Sequence, residues 1–471
     1  MDADICMELA GIDLGDVRLN KRAVQVLRSL AANPQASINA ASQGWAETQA
    51  AYRFFDNPQV EPAELLAPHQ AATLQRVAEH PVVLIAQDTT TYDFSDHPPA
   101  GVGPLTSPSC VGFLDHSQIA FTPAGLCLGV VDTEIWAREE EGFGNSKQRQ
   151  HDPLETKEVF RWLTGYRRAC AVAAAVPGTL IVSVSDREGD LYEVFVEAET
   201  QAQTAGAVAA EYVIRVGKDR SLPPRAEDGA GYEKLREAMP SAPLIAVREL
   251  TLPATPKRDS REVRLEIRGR RVRLKAPYRK GLKLPEVDVN MVLVQERDPP
   301  AGVEPVEWLL VTTLPIETAG QVLQVVDYYK GRWPIEIFFR VFKSGCQVER
   351  IQLETAPRLL RCLMFYKIIA WRILYLTMLG RECPTLPCNV LFTADEWMPV
   401  WKITQHKPLP QTPPDLGTFL LMVAQLGGHN GRKKDAPPGP QALWTGLRRL
   451  TDFALAWQTF GPNAKVTANS V

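Results

Sequence analysis

One stretch of this chain collects the side chains of phosphate and metal chemistry at helical spacing. It reads Tyr328-Tyr329-Lys330-Gly331-Arg332-Trp333-Pro334-Ile335-Glu336-Ile337-Phe338-Phe339-Arg340-Val341-Phe342-Lys343. At about 100° per residue on a helix, Tyr329, Arg332, Glu336, Arg340 and Lys343 fall within a stripe of ~80°. A carboxylate among three cations and a phenol suits the holding of an anion, with Glu336 left to take a metal ion. Ile335, Phe338, Phe339 and Phe342 supply an apolar side for packing. A solvated amphipathic helix with a local ion pair would read the same way in this segment alone. Pro334 bears on the geometry. If it opens the helix as its first residue, Tyr329 and Arg332 lie in the entering turn, and the stripe holds only for Glu336, Arg340 and Lys343.

The elements that would position partners for Glu336 lie far upstream. Pro81 to Asp88 and Thr179 to Asp186 are short β-branched apolar runs, each ending in an acid. Both read as buried strands with a polar turn beyond. A single Asp at such a tip is explained by capping of the following turn. Two of them, with Glu336 on a later helix, match the oxygen ligands that Mg²⁺ requires and the separate elements that converge on a two-metal site. Glu188, Asp190 and Asp93 are nearby acids that could be mistaken for the ligands; Asp88 and Asp186 are preferred because they end the strands.

Composition sets the bounds. The 471 residues allow two or three domains, and 45% apolar with 23% charged residues is ordinary for a globular protein. Net charge is −3, which does not mark a nucleic-acid binder, but the charge is uneven. Lys257 to Lys283 holds 12 Lys and Arg against three acids, a local balance of +9. Such a patch draws a phosphate backbone whatever the global sum; the plain alternative is a solvated, charge-protected sheet edge. None of the eight cysteines forms a CxxC pair, so neither a disulfide framework nor a zinc site is expected. The acidic start lacks a signal peptide's basic region. The apolar run Leu359 to Leu379 carries Arg361, Lys367 and Arg372 and reads as a buried helix ended by Gly380. These features describe a soluble, cytoplasmic protein with no membrane partner.

Along the chain, helices are expected up to about residue 62. The first has Arg18, Lys21, Arg22 and Arg28 beside Val24, Leu27 and Leu30; the second, Glu47 to Phe55, turns Tyr52 and Phe55 inward and Arg53 outward. Strands follow at Gln118 to Phe121 and Leu126 to Trp136, joined by a turn at Pro123 to Gly125. A helix from Pro153 to Ala175 precedes the Asp186 strand. Tyr212 to Val216 forms another strand, carrying Arg215. Val263 to Arg268 and Val272 to Lys275 alternate apolar and charged residues and predict a hairpin about Gly269. Strands at Asp288 to Gln295 and Trp308 to Thr313 lead to the Glu336 helix. Proline-rich linker then runs from Pro384 to Pro414, before helices at Leu416 to Leu426 and Pro440 to Thr459. Trp444 with Leu443, Leu447 and Leu450 faces either a partner or the chain itself.

Asp88, Asp186 and Glu336 resemble the DDE triad of RNase H-like transposases. Tyr329-x2-Arg332-x3-Glu336-x6-Lys343 matches the Tyr-Arg-Glu-Lys motif of the IS-four family, which the chain resembles from about residue 14 to 450. Segments in the same order include Leu14-Gly-Asp-Val-Arg18, Ala51-Tyr-Arg-Phe54, Ser185-Asp-Arg-Glu188, Tyr212-Val-Ile-Arg215 and Leu426-Gly-Gly. The resemblance implies an α/β fold: an RNase H-like mixed-sheet catalytic core with a β-strand insertion, flanked by N- and C-terminal helical domains. It implies a DNA-end-binding domain over 1–62, a catalytic domain over 63–365 with the insertion at about 218–307, and a dimerisation domain over 366–471. It also implies two Mg²⁺ or Mn²⁺ ions on the triad, and phosphate contacts from Tyr329, Arg332 and Lys343, with Arg340 behind them. Arg18, Arg22, Arg53 and Arg215 fall where the family touches DNA. Trp308, 21 positions before Tyr329, falls where an aromatic stacks on a flipped base, although a core Trp opening a buried strand would look the same.

The implied activity is cut-and-paste transposition: nicking of terminal inverted repeats, hairpin formation, and strand transfer to target DNA by a homodimer in a synaptic complex. An inactive, transposase-derived DNA-end-binding regulator and a stand-alone RNase H-like nuclease are the alternatives.

Overall fold

A computed structural model describes the chain apart from residues 1–4, 43, 141–142, 145–151, 205, 224–231, 253–259, 280, 433–434 and 463–471. Four helices come first: α1 (Val17–Ala32), α2 (Ile38–Ala41), α3 (Trp45–Asp56) and α4 (Pro62–Ala78). The Asp16 side chain caps α1 by accepting from the Arg18 amide, and the helix stops before Asn33-Pro34 as the sequence predicts. Arg53 points outward, but Tyr52 is exposed too; Phe54 and Phe55 make the inward face of α3.

The strands are β1 (Val82–Asp93), β2 (Gly103–Pro104), β3 (Val111–Phe121), β4 (Cys127–Trp136), β5 (Leu180–Ser185), β6 (Glu211–Arg215), β7 (Leu244–Leu252), β8 (Arg261–Leu274), β9 (Val287–Arg297) and β10 (Glu307–Thr312). Helices α5 (Phe160–Ala175), α6 (Tyr192–Gln203) and α7 (Leu235–Ala238) intervene, and α8 (Ala319–Lys330), α9 (Pro334–Arg340), α10 (Ala356–Glu382), α11 (Ala394–Gln405), α12 (Leu416–Leu426) and α13 (Pro440–Phe460) follow. One 10-stranded sheet runs β2-β3-β1-β5-β6-β10-β9-β8-β7, with β4 on the outer side of β3. Only β1–β5 and β5–β6 are parallel. This is the mixed α/β sheet of an RNase H-like core. Side chains alternate across it: Val83, Ile85, Ile181 and Ile214 pack with α5 and α6, whereas Leu84, Val182, Val184 and Val213 pack with α8. The core under α9 and α10 takes in α1, α3, α12 and α13, so the two helical ends share one apolar interior.

Several expectations need correction. Strand β1 does not end at Asp88, because antiparallel pairing with β3 carries it on to Asp93. Gly269 is no turn. β8 runs straight through it, and a Cβ there would come within 2.6 Å of Ile245, so the glycine serves close packing. β7, not the second half of β8, is the partner of the first half. Gly380 lies inside α10, against Leu420 of α12, and does not end the helix. The expected linker contains α11. Of the two readings left open for the C-terminal stripe, packing within the chain holds for Leu443, Trp444 and Leu450, which are buried.

Helix α10 is long and apolar enough to cross a membrane, yet 89% of that stretch is buried inside the fold. Its internal cations are satisfied: Arg361 donates to the Val60 and Phe55 carbonyls, and Lys367 pairs with Asp115. Every cysteine is free.

Candidate active site

Asp88 and Asp186 are brought together by the parallel pairing of β1 with β5, in register up to Ala86 and Val184. Each acid lies two residues beyond that last pair: Asp186 just past the carboxyl end of β5, and Asp88 where β1 has lost its parallel neighbour but runs on against β3. The carboxyl end of a parallel strand is where ligands of open α/β sheets bind. Asp88 Oδ1 accepts the Thr89 amide at 2.8 Å. Asp186 Oδ1 accepts the Glu188 amide at 2.8 Å, so it also performs the turn capping expected of a strand-end Asp. On the opposite face of β1, the buried His116 ring bonds Thr89 Oγ1 at 2.9 Å and Gln87 Oε1 at 3.3 Å, and Gln87 donates to Ser183 on β5 at 2.7 Å. The residues on both sides of Asp88 are thereby fixed. Burial pulls the His116 imidazole down to about 4.

Glu336 is reached through a tight connection. α8 stops at Lys330, and α9 starts with Pro334 at a position where the lost N–H costs nothing. Between them Gly331 lies directly on β1: a Cβ there would come within 2.3 Å of Leu84. The next residue, Arg332, is thus pressed against the strand that carries Asp88. Its Nη1 donates to Asp88 Oδ2 at 3.0 Å and its Nη2 to Glu336 Oε1 at 2.7 Å. One guanidinium bridges two of the three acids. Burial pushes the Asp88 carboxyl up to about 6; the Asp186 and Glu336 charges push the same way, and Arg332 pulls against them.

The expected stripe from Tyr329 to Lys343 does not form on one helix. Tyr329 sits in the last turn of α8, buried and edge-on to Trp308 at 5.5 Å. Arg332 lies in the connection and is itself buried. Val341 to Gly345 is a π-helical turn, so the regular angle also fails before Lys343. Lys343 Nζ donates to the Thr91 carbonyl at 2.8 Å and pairs with Glu349 at 3.3 Å. Arg340 is exposed. Trp308, Arg215, Arg187 and Arg236 line a cavity of about 470 Å³ near the end of β5, and Arg215 donates to the Glu307 carbonyl at 3.2 Å. Arg18 is exposed and paired with Asp16 at 2.8 Å, and Arg22 is half-buried; both lie on α1, well apart in sequence from the acids.

Sequence reasoning passed over Arg187, next to Asp186, and Trp333, next to Arg332. Trp333 is 60% exposed, unusual for the largest apolar side chain; its place beside the motif arginine was the available signal. Two of the three competing acids, Asp190 and Asp93, are otherwise engaged, whereas Glu188 stays beside Asp186, and burial and the Asp186 charge raise its carboxyl above the usual range. Asp190 is buried, accepts the Gly217 and Lys218 amides at 2.8 Å and pairs with Arg220. Asp93 bonds Ser95 and the Cys110 thiol.

The basic insertion is less basic than its own sequence suggests. Arg261 pairs with Glu296, Arg271 and Arg273 with Asp288, Arg268 with Glu266, and Arg279 with Glu193. Three of those four acids come from β9 and α6, outside the counted window.

Three protein-family profiles match the chain in order: a transposase DNA-binding domain over residues 5–60, a transposase DDE domain over 201–372, and the Tn5 transposase dimerisation domain over 368–458. The chain belongs to the DDE transposases and resembles that of Tn5. The matched DDE segment includes Glu336 and begins after Asp88 and Asp186. A piggyBac transposase synaptic complex with hairpin DNA, solved by cryo-EM, aligns with 98% of this chain and 79% of its own at 9% identity and a TM-score of 0.37; so low a likeness constrains neither fold nor chemistry here. This transposase carries DNA-binding and dimerisation domains, so DNA and a second copy of the chain are its partners. Its DDE domain implies phosphoryl transfer on DNA with divalent metal. The three acids are hard oxygen donors of the kind Mg²⁺ and Mn²⁺ take, and a cation is already drawn between two of them. Among the described residues, however, no three His, Cys, Asp or Glu side chains stand as a ready-made metal cluster.

Proposed function

We propose that this transposase cuts and joins DNA at one site built from Asp88, Asp186 and Glu336. The observation that carries the reading is the pairing of β1 with β5, which sets two Asp side by side, together with the Arg332 bridge from Asp88 to Glu336. The three carboxylates would hold two divalent ions, Mg²⁺ or Mn²⁺. Bound there, such ions activate an attacking hydroxyl and neutralise the leaving oxygen of an in-line displacement. The rest falls to the chain's own residues. Lys343 and Arg340 steady the phosphates beside the reacting one, and Arg332 offers a planar fork to another. Trp308, braced by Tyr329, and the exposed Trp333 are aromatic faces for a base lifted from the stack. Arg215 and Arg187 line the same side.

Residues 1–62, with Arg18, Arg22 and Arg53, bind the terminal inverted repeats. Residues 63–365 catalyse, with the insertion at about 218–307, and 366–471 join two copies into the synaptic complex. The same site nicks the end, forms and opens a hairpin, and transfers the strand to target DNA, in the cytoplasm. The test is Mg²⁺-dependent nicking of a duplex made from the borders of the gene. Asp186→Asn is expected to lose on the order of 10³-fold or more in rate while still binding the duplex. Nicking at the wild-type rate by that variant removes Asp186 from the site. Binding without nicking by the wild type identifies an end-binding regulator.

A further inference from the structure

In the free chain Arg332 is engaged with two of the carboxylates of the proposed metal site. Its guanidinium donates to Asp88 at 3.0 Å and to Glu336 at 2.7 Å and is nearly buried between them. The side chain springs from the three-residue connection between α8 and α9, so it can leave without moving either helix. The Glu336 end of the bridge reaches solvent, its side chain being 38% exposed. The same fork that spans two carboxylates fits a phosphate equally well.

We infer that Arg332 is a placeholder cation. In the free protein it holds Asp88 and Glu336 together against their mutual repulsion. When a DNA phosphate takes the guanidinium, the carboxylates are released to a divalent ion. Metal uptake and DNA engagement are thereby coupled through one side chain, and the free protein is kept a poor metal binder. The inference rests on the three-carboxylate site proposed above.

The experiment titrates Mn²⁺ alone into the free, full-length protein by calorimetry, for wild type, Arg332→Gln, Arg332→Lys and Asp186→Asn. Removing a positive charge from beside the ligands is expected to tighten Mn²⁺ binding by about tenfold or more in Arg332→Gln, within the usual range of coupling between sites. Arg332→Lys keeps the charge on a shorter contact and falls between. If Arg332→Gln fails to fold, a gain in Arg332→Lys carries the test. Unchanged or weaker Mn²⁺ binding in both Arg332 variants, with Asp186→Asn abolishing binding, overturns the placeholder and leaves the carboxylate site standing. Mn²⁺ affinity untouched by Asp186→Asn overturns the site and the placeholder together.

Discussion

Two cation–carboxylate clusters sit on the same face of the sheet, one strand apart. Asp88 on β1 faces Ser117 on β3 in the register, and Ser117 accepts from Lys367 at 2.7 Å. Lys367 also pairs with Asp115, which accepts from Tyr92. Neither Lys367 nor Asp115 has any exposure, and the Phe342 ring covers the ammonium at 4.8 Å. In the neighbouring cluster the side chains of Arg332, Asp88 and Glu336 are 10%, 18% and 38% exposed. The first cluster is sealed by α10 and the aromatic side of α9. The second stands where β5 ends beside β1, and its side chains are partly open to solvent. Similar charges therefore serve opposite ends: the sealed pair fixes α10 and α9 to the sheet, and the open one remains free to exchange partners.

The sharpest way to break this contrast is to remove one partner from each. Lys367→Met leaves the Asp115 carboxylate buried and unpaired, which is expected to cost about 3–5 kcal/mol of unfolding free energy. Adding Asp115→Leu should recover only part of it: the unpaired charge is gone, but the Tyr92, Ser117 and Thr133 hydroxyls lose their acceptor. Arg332→Gln should cost less, about 1–3 kcal/mol, since water reaches Glu336 and part of Asp88. Urea unfolding at neutral pH measures all three. Equal losses from the two single variants would show that the clusters do not differ in kind.

The open cluster was more legible in the sequence than the sealed one. Asp88 and Asp186 end β-branched runs, and that local pattern survives folding even though β1 continues to Asp93. Glu336 was legible through its motif spacing, but not its surroundings. The even helical stripe failed because Pro334 starts a new helix and Val341 to Gly345 winds as a π turn. The bridge from Arg332 to Asp88 spans 244 positions, and no periodicity carries such a contact. Lys367 was read only as a charge arguing against a membrane span; its partner lies 252 positions away on a strand whose start was not foreseen. Gly269 misled because a glycine between alternating runs signals a turn, while here it makes room for Ile245. The patch around Arg261 to Arg273 was overcounted for a related reason, as Asp288 and Glu296 arrive from the next strand.

A smaller effect probes the far side of β1. His116 is buried between Gln87 and Thr89, beside Trp162, with Asp115 favouring and Arg161 opposing its charge. Its folded value of about 4 lies below the ordinary value of 6.5. The fold thus binds fewer protons than the unfolded chain between those values. The contribution is fully present above pH 6.5 and is lost as pH falls toward 4, by roughly 3 kcal/mol at most. His116→Gln should flatten that acid-side loss, read as the difference in urea midpoint between pH 7 and pH 4.5. Some slope remains because burial pulls His69 down as well. An unchanged slope would mean that His116 already carries a proton in the fold, and that the anchor behind Asp88 is as open to exchange as the site in front of it.

The smallest effect belongs to an open pairing on the insertion. Arg273 and Arg271 share Asp288 on the insertion, at 3.1 and 3.8 Å, and all three reach solvent. Exposed pairs of this kind contribute little to folding, so Asp288→Asn should leave the unfolding midpoint where it is. It does release two arginines. If the insertion meets DNA, each freed cation can neutralise a phosphate, and the log–log slope of affinity against salt should steepen by about one unit for each, up to about two. Binding of a random duplex between 50 and 200 mM salt measures it, in the range of ionic strength where counterion release dominates. A steeper slope with unchanged stability would set the three pairings in order: Lys367 serves the fold, Arg332 trades between ligands, and Arg273 answers to DNA alone. An unchanged slope would place the insertion away from the duplex, and its charge alternation would then serve only to keep a sheet edge from pairing with another chain.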